Sequence, residues 1–469
     1  MTTMSALTSL ALRAALLATA LAAGGCATKA SPEAPLPATP AQWRYAPPDR
    51  AGADPVSIDW WQSLGNAELD ALVRRARADN PGIAAAYARV QQARASVTIA
   101  RAPLLPELTG SADARRYGGS GISSGDSSDN FRLGLAASYE VDLWGGNRAA
   151  AGSAAASLRA AGFAQDAVTL SVTGEVALAW LQTVSLRERV AIATRMLDNA
   201  RGVLAVVDAR QRAGSATALE LAQQRGLVAS RERTLRLLAQ RANDSQVALA
   251  ILLGQSASSF EISTASLAGL RQPAIDSGLP AELLTRRPDL AAAEARLAAA
   301  DGDIAVARAL MLPRLALTAS ATGQSDRLRT LFENPVYAIA AGVLAPIFNA
   351  GRLAAGHDMA IAQKQELLAD YRRAIVAASG DVEVALNSIA GVGAQRIAQD
   401  EELAQARRAF TLAERRYRAG AETLLIVLDA QRTLYAAEDD AAQLRLAALQ
   451  GSVLLYKALG GGWRPDTQL

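Results

Sequence analysis

The chain contains one supersecondary unit written twice, and this repeat limits its fold more than any other feature. Residues 80–112 realign on residues 287–319 without a gap, at a shift of 207 positions. The apolar positions of both copies follow the alternating spacing of three and four that forms a coiled-coil seam. The correspondence continues to the tripeptide RAG, which occurs at 212–214 and again at 418–420. The sequence therefore predicts two copies of one structural repeat.

Each copy contains two segments with the period of a half-buried strand. From Phe131 to Leu143 every second residue is apolar, and the residues between them are mostly polar or small. This alternation predicts a strand with one apolar and one polar face. We expect β-hairpins at 108–143 and 314–347, with aromatic residues near the strand ends. Such aromatic residues are typical of strands that cross a bilayer, although hairpins of water-soluble proteins also have them.

A very long helical hairpin is predicted after each β-hairpin. In the first copy the stretch after the β-hairpin contains no Pro until Pro273. In the second copy no Pro occurs between Pro346 and Pro465, so no proline interrupts a helix in either stretch. Heptad seams run along both. The predicted hairpins are 146–253 and 350–458, and a first arm of about 70 residues would reach roughly 100 Å.

Glycines stand at the places where the predicted path changes direction. Some follow the second strand of a hairpin and would allow the sharp redirection from strand to helix; these hinge residues are Gly145, Gly146 and Gly351. Others suit the left-handed residue that ends a helix, with an Arg near the negative helix end; these are Gly214 after Arg212 and Gly420 after Arg418. The repeat places both turns, which we call the tips, at the same distance from the hinges.

Four strands per chain are too few to line a membrane pore. Backbone groups in hydrocarbon must all be paired, so a membrane-spanning sheet has to close on itself. The smallest single-chain barrels have eight strands. Closure therefore requires several copies, and three would supply twelve strands. The predicted fold is an α+β membrane protein with a trimeric 12-stranded β-barrel, continued by a long α-helical coiled-coil barrel.

The N-terminus reads as a targeting segment. Arg13 precedes an apolar run that ends in AAGGCA, which predicts a signal peptide. The segment looks like a lipobox that would acylate Cys26, and Ala27 resembles the residue that sends lipoproteins to the outer membrane; an ordinary signal peptide with an incidental Cys is the alternative. The predicted division is a signal peptide at 1–25, a lipid-anchored Pro-rich linker at 26–56, repeat one at 57–272 and repeat two at 273–469.

The composition argues against several other classes of protein. The chain has 48 basic and 45 acidic residues, a balance that does not suggest nucleic-acid binding. One His and one Cys cannot build a His/Cys metal site, and His357 is expected to be a solvated helix residue. We found no phosphate-binding Gly loop, no Ser/His/Asp set and no recognisable pair of catalytic carboxylates. We therefore expect neither an enzyme nor a bound metal or cofactor.

Several phrases, in this order, resemble the TolC and NodT-type outer-membrane efflux lipoproteins: IARAPLLP, DLWG, PIFNAGR, RYRAG and VLDAQRTLYAAE. The resemblance covers nearly the whole chain after Cys26. It implies a homotrimeric duct that is open to the outside. The other end would stay closed until a periplasmic adaptor protein and an inner-membrane pump dock, so that small molecules such as drugs pass from the periplasm to the exterior.

The resemblance also implies roles for the tips. The adaptor contacts would be Arg212, Gly214, Ser215, Arg418, Gly420 and Ala421. Glu422 and Leu425, just past the second turn, would help to close the entrance. Two alternatives stay open: an outer-membrane duct for type I protein secretion, and a coiled-coil envelope lipoprotein without a pore. The second leaves the two alternating hairpins unexplained.

Overall fold

The fold was obtained as a computed structural model, which describes residues 40–46, 56–117 and 128–465. Within these ranges the chain forms eight α-helices and four β-strands. In chain order they are α1 (Ala67–Asp79), α2 (Pro81–Arg101), β1 (Glu107–Tyr117), β2 (Ser128–Val141), α3 (Gly146–Arg212), α4 (Ala218–Leu252), α5 (Leu283–Arg286), α6 (Pro288–Ala309), β3 (Arg314–Ser325), β4 (Pro335–Leu344), α7 (Arg352–Arg418) and α8 (Leu424–Ala458).

The repeat in the sequence corresponds to a repeat of helices and strands in the structure. Helices α3 and α7 both have 67 residues, and α4 and α8 both have 35. The first residues of α3 and α7 are 206 positions apart, as are those of α4 and α8. Strands β1 and β3 begin 207 positions apart, as do helices α2 and α6. At the usual rise per residue, α3 and α7 are each about 100 Å long.

The four strands form one antiparallel sheet in the order β1-β2-β3-β4. Residues that pair across strands point to the same face, and successive residues of a strand point to opposite faces. One face is apolar and carries Leu108, Phe131, Leu133, Leu135, Tyr139, Val141, Leu315, Leu317, Tyr337, Ile339 and Val343. The other face carries Glu107, Thr109, Ser111, Asp113, Arg115, Arg132, Ser138, Glu140, Thr318, Ser320, Thr322 and Gln324.

Two strands end earlier than their alternation predicts. Strand β2 ends at Val141, although the alternating pattern continues to Leu143. The side chain of Asp142 is used instead to accept hydrogen bonds from the first turn of α3. Strand β4 ends at Leu344, before Pro346, whose nitrogen has no hydrogen to give to a ladder.

Each strand is joined to a helix, and next to the sheet these helices lie side by side in the same order as the strands. Helix α2 leads into β1, β2 into α3, α6 into β3, and β4 into α7, and next to the sheet the helices pack in the order α2-α3-α6-α7. Farther from the sheet the order is α4-α3-α8-α7. The described sheet and long helices therefore form one layer that is four elements wide. In the described ranges β1 and β4 each have a strand neighbour on one side only.

Apolar seams hold the long helices together. Leu186 and Ala193 of α3 form a buried cluster with Leu238 and Ala242 of α4. A larger cluster joins the two hairpins near their tips and includes Val203, Val207, Phe410, Tyr417 and Leu434. The coiled-coil packing predicted from the heptads is confirmed by these contacts.

The segment between the repeats is fixed to the helices by a carboxylate. Glu68 of α1 accepts hydrogen bonds from Ser263 N, from Ser263 Oγ at 2.8 Å, from Thr264 N at 3.2 Å and from Trp180 Nε1 at 3.1 Å. Burial alone would raise the pKa of Glu68, but these hydrogen bonds outweigh it and lower the pKa to about 2. The carboxylate thus links the segment to α1 and α3.

His357 differs from the prediction of a solvated helix residue. Its exposed fraction is only 6%. The first turns of α7 pack against α6, where Lys364 Nζ lies 2.8 Å from Asp301 Oδ1. The sequence pattern around His357 did not indicate that α6 would pack against this part of α7, because α6 lies about 50 residues earlier in the chain.

Candidate functional site

The corner between β2 and α3 is fixed by a side-chain cap. Asp142 accepts hydrogen bonds from Asn147 N at 3.1 Å and from Arg148 N at 3.0 Å. Gly145 has a φ of +78°, and a Cβ on Gly146 would lie 2.8 Å from Ala309 Cβ of α6. The first glycine therefore supplies the backbone turn and the second a close approach of helices. The sequence analysis identified both glycines but not the capping carboxylate.

At the equivalent corner of repeat two, the helix is capped by the side-chain amide of an asparagine. Asn349 Oδ1 accepts a hydrogen bond from Leu353 N at 3.2 Å. Ala350 and Gly351 have φ values of +52° and +80°. Ala350 is the single non-glycine residue with positive φ in the described ranges, and its side chain makes that conformation costly. The hinge residues predicted from sequence thus lie at two fixed corners.

Tip 1 joins α3 to α4 through residues 213–217. Gly214 has a φ of +70°, and Ser215 N donates to Arg210 O at 2.8 Å. Arg212 Nη2 lies 2.7 Å from Asp208 Oδ2, one turn earlier on the same helix. Helix α4 then begins with a capping box, in which Thr217 and Glu220 exchange hydrogen bonds between side chain and backbone. Tip 1 is therefore closed by its own residues.

Tip 2 joins α7 to α8 through residues 419–423 and has the same backbone. Gly420 has a φ of +77°, and Ala421 N donates to Arg416 O at 2.9 Å. Arg418 Nη2 lies 2.8 Å from Glu414 Oε1, which repeats the pair at Arg212. The capping box, however, is not repeated: Thr423 makes no side-chain cap, and Ile426 stands where tip 1 has Glu220. Helix α8 begins without the hydrogen bonds that start α4.

One arginine connects the two tips. Arg210 Nη1 donates to the backbone oxygen of Tyr417 at 2.8 Å, and its guanidinium carbon lies 4.7 Å from the centre of the Tyr417 ring. Burial raises the pKa of Tyr417, with a smaller contribution from Glu220, although Arg210 opposes it. The repeat-two equivalent of Arg210 is Arg416, which instead lies 3.5 Å from Glu422 within its own tip. This polar contact between the tips is thus made from one side only.

The predicted entrance residues lie at the start of α8. Glu422 is partly buried and paired with Arg416, whereas Leu425 is 67% exposed. Asp429 and Arg432 follow Leu425 on the same helix face, and Arg432 Nη2 lies 2.7 Å from Asp429 Oδ1. The sequence analysis missed this ion pair, although the spacing of four and then three residues would have indicated a shared face. Leu219, the repeat-one equivalent of Leu425, is also 67% exposed.

Two further predictions concern lipid and metal. Cys26, the predicted acylation site, lies outside the described residues. No group of three or more His, Cys, Asp or Glu side chains able to hold a metal was found in the described ranges.

The chain was compared with known proteins. The sequence profile of the outer membrane efflux protein family matches residues 72–255 and 279–461. The pyoverdine export outer membrane protein OpmQ of Pseudomonas aeruginosa is 48% identical over 462 residues, covering 97% of this chain and 97% of the relative. The solvent efflux pump outer membrane protein SrpC of Pseudomonas putida is 32% identical over 455 residues, covering 94% of this chain and 96% of the relative.

Solved structures of outer-membrane channels share the fold. The open state of the MtrE outer membrane channel of Neisseria gonorrhoeae aligns with a TM-score of 0.83 at 27% identity. The alignment covers 95% of this chain and 100% of that channel. The two halves, the sheet and the long helices are therefore those of a known channel architecture.

Proposed function

Because the chain belongs to the outer membrane efflux protein family and is the outer-membrane channel of an efflux pump, we propose that three copies close into one duct. The tips of this duct would dock a periplasmic adaptor protein. The protein lies in the outer membrane, and its long helices extend into the periplasm. An inner-membrane pump would supply the exported compound through the adaptor.

Closure by further copies is supported by the edges of the sheet. Strands β1 and β4 each leave one row of backbone hydrogen-bonding groups unpaired by another strand of the described chain. Such groups cannot remain unpaired in hydrocarbon. Each additional copy adds four strands, and pairing β4 with β1 of the next copy keeps the antiparallel order. Three copies form twelve strands, whose apolar face meets lipid and whose polar face lines the pore.

The helices leave apolar surface for the same contacts. Helix α7 contains an apolar stretch of 18 residues of which 28% is buried within the chain, against 50% for the corresponding stretch of α3. Exposed apolar side chains lie on the elements at the two edges of the layer. On one edge they are Tyr87, Ile99, Leu237, Val247 and Ile251, and on the other Met359, Val376, Val384, Ile397 and Leu412.

The tips are the proposed adaptor contacts. Arg212 and Arg418 pair with carboxylates one turn earlier on their own helices, and their side chains are still 72% and 56% exposed, so both can reach an adaptor. The turns themselves, with Gly214, Ser215, Gly420 and Ala421, would meet the adaptor. We assign the entrance gate to tip 2, where Glu422 lies in the turn and Leu425 in the first turn of α8, a helix that has no capping box.

We also propose that Cys26 carries an acyl anchor. Residues 43–45, which follow this Cys in the sequence, make hydrogen bonds to repeat two. Trp43 is 4% exposed, and its Nε1 donates to Ser277 O at 3.2 Å. The carboxylate of Glu383 accepts hydrogen bonds from the next two backbone amides, at 2.8 and 3.3 Å. An acyl chain on Cys26 would anchor the chain in the membrane, and Cys26→Ser should abolish palmitate labelling.

The exported compound is proposed to be a siderophore of the pyoverdine kind. This rests on one observation, the 48% identity to a pyoverdine exporter over nearly the full length of both chains, against 32% for a solvent efflux protein. The pore face of the sheet agrees with a hydrophilic cargo, because its middle carries mainly hydroxyl groups and small side chains. Thr109, Ser111, Ser138, Thr318, Ser320 and Thr322 supply these hydroxyls.

Export can be tested in a pyoverdine-producing host that lacks its own exporter. Expression of this chain should restore fluorescence of the culture medium and remove pyoverdine from the periplasm. A variant that carries Leu135→Arg on the lipid face provides the matched negative control. Restored resistance to solvents or antibiotics without restored pyoverdine export would refute the proposed cargo and leave the channel function in place. Secretion of a protein substrate instead would support the duct for protein secretion.

A further inference from the structure

One face of helix α3 carries further parts of the chain. The C-terminal segment contacts it where Trp463 Nε1 donates to Asp166 Oδ2 at 2.9 Å. Helix α1 contacts it at Trp180, and the segment between the repeats contacts it at Arg187. Asp166, Trp180 and Arg187 are fourteen and seven positions apart, a spacing that places them on one face of a helix. We call this face the covered face of α3.

The opposite face of α3 forms the floor of a groove. The floor residues are spaced by four, three and four positions, so they share one face; they are Ser157, Ala161, Ala164 and Val168. Ala164 is two residues from Asp166, which is a little more than half a turn of helix. Helices α2 and α6 form the sides of the groove, and its volume is about 310 Å³. This is the lower end of the size of small-molecule sites, so part of an exported compound fits in it.

One arginine from each repeat lines this groove. Arg89 comes from α2 and Arg296 from α6, and the two are counterparts at the shift of 207 positions. Both are exposed, and within the described part of the chain neither guanidinium has a hydrogen-bond or ion-pair partner. The other lining residues include no carboxylate. The groove is therefore positively charged, and its two cations are free to meet a ligand.

Repeat two does not reproduce this floor. Helix α7 is equivalent to α3 at a shift of 206 positions, and the four floor positions become Gln363, Leu367, Asp370 and Ala374. Three of these four side chains are larger than their counterparts. Asp370 also adds a carboxylate, which lies 2.9 Å from Arg373 Nη2 on the same helix. A small floor without negative charge is thus a property of repeat one.

The groove faces the passage of the duct, an orientation that rests on the proposed closure of copies into a tube. A layer that closes into a tube has one side inside and the other outside. Helix α1, the segment between the repeats and the C-terminal segment would fill the passage if the covered face lay inside. The covered face therefore lies outside and the groove inside. Ala161 is fifteen residues beyond the start of α3, which places the groove about 22 Å from the sheet.

We propose that the groove between Arg89 and Arg296 binds carboxylate groups of the exported compound as it passes through the duct. A guanidinium group holds its N–H donors in a planar arrangement that matches the two oxygens of a carboxylate. Because both side chains are exposed to water, each contact is weak. Transport requires such weakness, since a compound that binds tightly does not leave. Three copies place three of these grooves at one level of the duct.

Block of the channel current by citrate tests this site. Trimers are placed in planar lipid bilayers at low ionic strength, where exposed charges are least screened. Citrate added at the barrel end should reduce the current of the parent channel. Trimethyl citrate, which has the same skeleton without the charges, should not. In Arg89→Gln/Arg296→Gln the concentration of citrate that halves the current should rise by about tenfold, because two weak charged contacts are lost.

Two further variants separate the groove from the net charge of the protein. Arg159→Gln is the matched control, because Arg159 is also exposed and lies seven positions before Asp166, on the covered face. This variant should be blocked like the parent. Ala164→Asp keeps both groove arginines and introduces the carboxylate that α7 has at the equivalent position. It should weaken the block by citrate as the loss of the arginines does. Migration on gels without heating checks that each variant still forms trimers.

The outcomes distinguish the site from the duct. If citrate does not reduce the current of the parent, or blocks Arg89→Gln/Arg296→Gln equally well, the site is wrong and the channel function stands. An equal loss of block in Arg159→Gln would assign the effect to net charge and would also overturn the site. Particles that sediment as monomers, or trimers that carry no current, would overturn the duct and the site together. Weaker block in the arginine variant and in Ala164→Asp, but not in Arg159→Gln, supports the site.

Discussion

Replacing Arg210 should make the entrance open more easily. Its Nη1 donates to Tyr417 O at 2.8 Å, and its guanidinium lies 4.7 Å from the Tyr417 ring centre. This residue therefore ties tip 2 to tip 1 within one chain. If tip 2 has to move away from tip 1 for the entrance to open, Arg210→Ala removes part of what holds it closed. Arg212→Ala is the matched control, because Arg212 lies two residues further along the same helix and its ion pair is with Asp208 of that helix.

The expected size of the effect follows from these two contacts. A hydrogen bond from a charged donor contributes about 1.5–3 kcal/mol, and an exposed cation–π contact about 0.5–1 kcal/mol. For a partly exposed site the lower values apply, which gives about 2 kcal/mol for each chain. One tip moving alone would then open roughly 30 times more often. Three tips moving together would gain about 6 kcal/mol, on the order of a 10⁴-fold change in the ratio of open to closed channels.

Single-channel conductance in planar lipid bilayers measures this change. Arg210→Ala should conduct more than the parent channel, and cells that express it should take up large antibiotics that the closed channel excludes. Arg212→Ala should behave like the parent. Equal conductance of Arg210→Ala and the parent, with trimers intact, would refute the reasoning. An equal rise in both variants would show that loss of tip charge, and not loss of the contact between tips, is the cause.

Four further predictions concern the lipid face, the segment between the repeats, a tip and a corner. Leu135→Arg should cost about 2–4 kcal/mol and block assembly into membranes, whereas Ala136→Arg on the pore face should assemble, as seen in trimer yield on gels. Glu68 has its pKa lowered to about 2, so its carboxylate stabilises the fold above the ordinary value of 4.5, and this contribution is lost as the pH falls towards 2. Thermal unfolding should therefore show Glu68→Gln less stable than the parent at pH 7, with the difference fading at pH 2. Gly420→Pro cannot adopt the φ of +77° and loses the amide hydrogen bonded to Tyr417 O, so export should stop while trimers remain. Ala350→Gly relieves a φ of +52° and should raise the stability of purified trimers by about 1 kcal/mol in denaturant unfolding.

The elements that sequence patterns predict well are those whose pattern repeats many times. The heptads of α3 and α7 and the alternation in β2 each extend over many residues, so a few exceptions do not hide them. Sequence patterns predict the ends of helices and strands less well. Asp142 continues the alternation of β2, but its carboxylate caps α3 instead, because a helix start has amides that need an acceptor.

Contacts between distant parts of the chain were not predictable in this way. Arg210 and Tyr417 are 207 positions apart, and Glu68 meets Ser263 across 195 positions. Neither pair belongs to a periodic pattern, so a single sequence gives no reason to join them. The capping box at Thr217 and Glu220 is different. Its residues are three apart and directly precede an apolar seam, which is a pattern that a sequence shows by itself.

If the entrance opens by movement of a tip, the differences between the two repeats favour tip 2 as the one that moves. Helix lengths, tip glycines and the ion pairs of Arg212 and Arg418 are the same in both, and these features set the depth and shape of the tips. The capping box is present in tip 1 alone, and such caps typically contribute about 1 kcal/mol. The hydrogen bond between the tips also has its donor, Arg210, in tip 1. Tip 1 therefore has a cap of its own, whereas tip 2 is held by Arg210 and by the apolar cluster that it shares with α3. We therefore expect tip 2, and not tip 1, to move when the entrance opens.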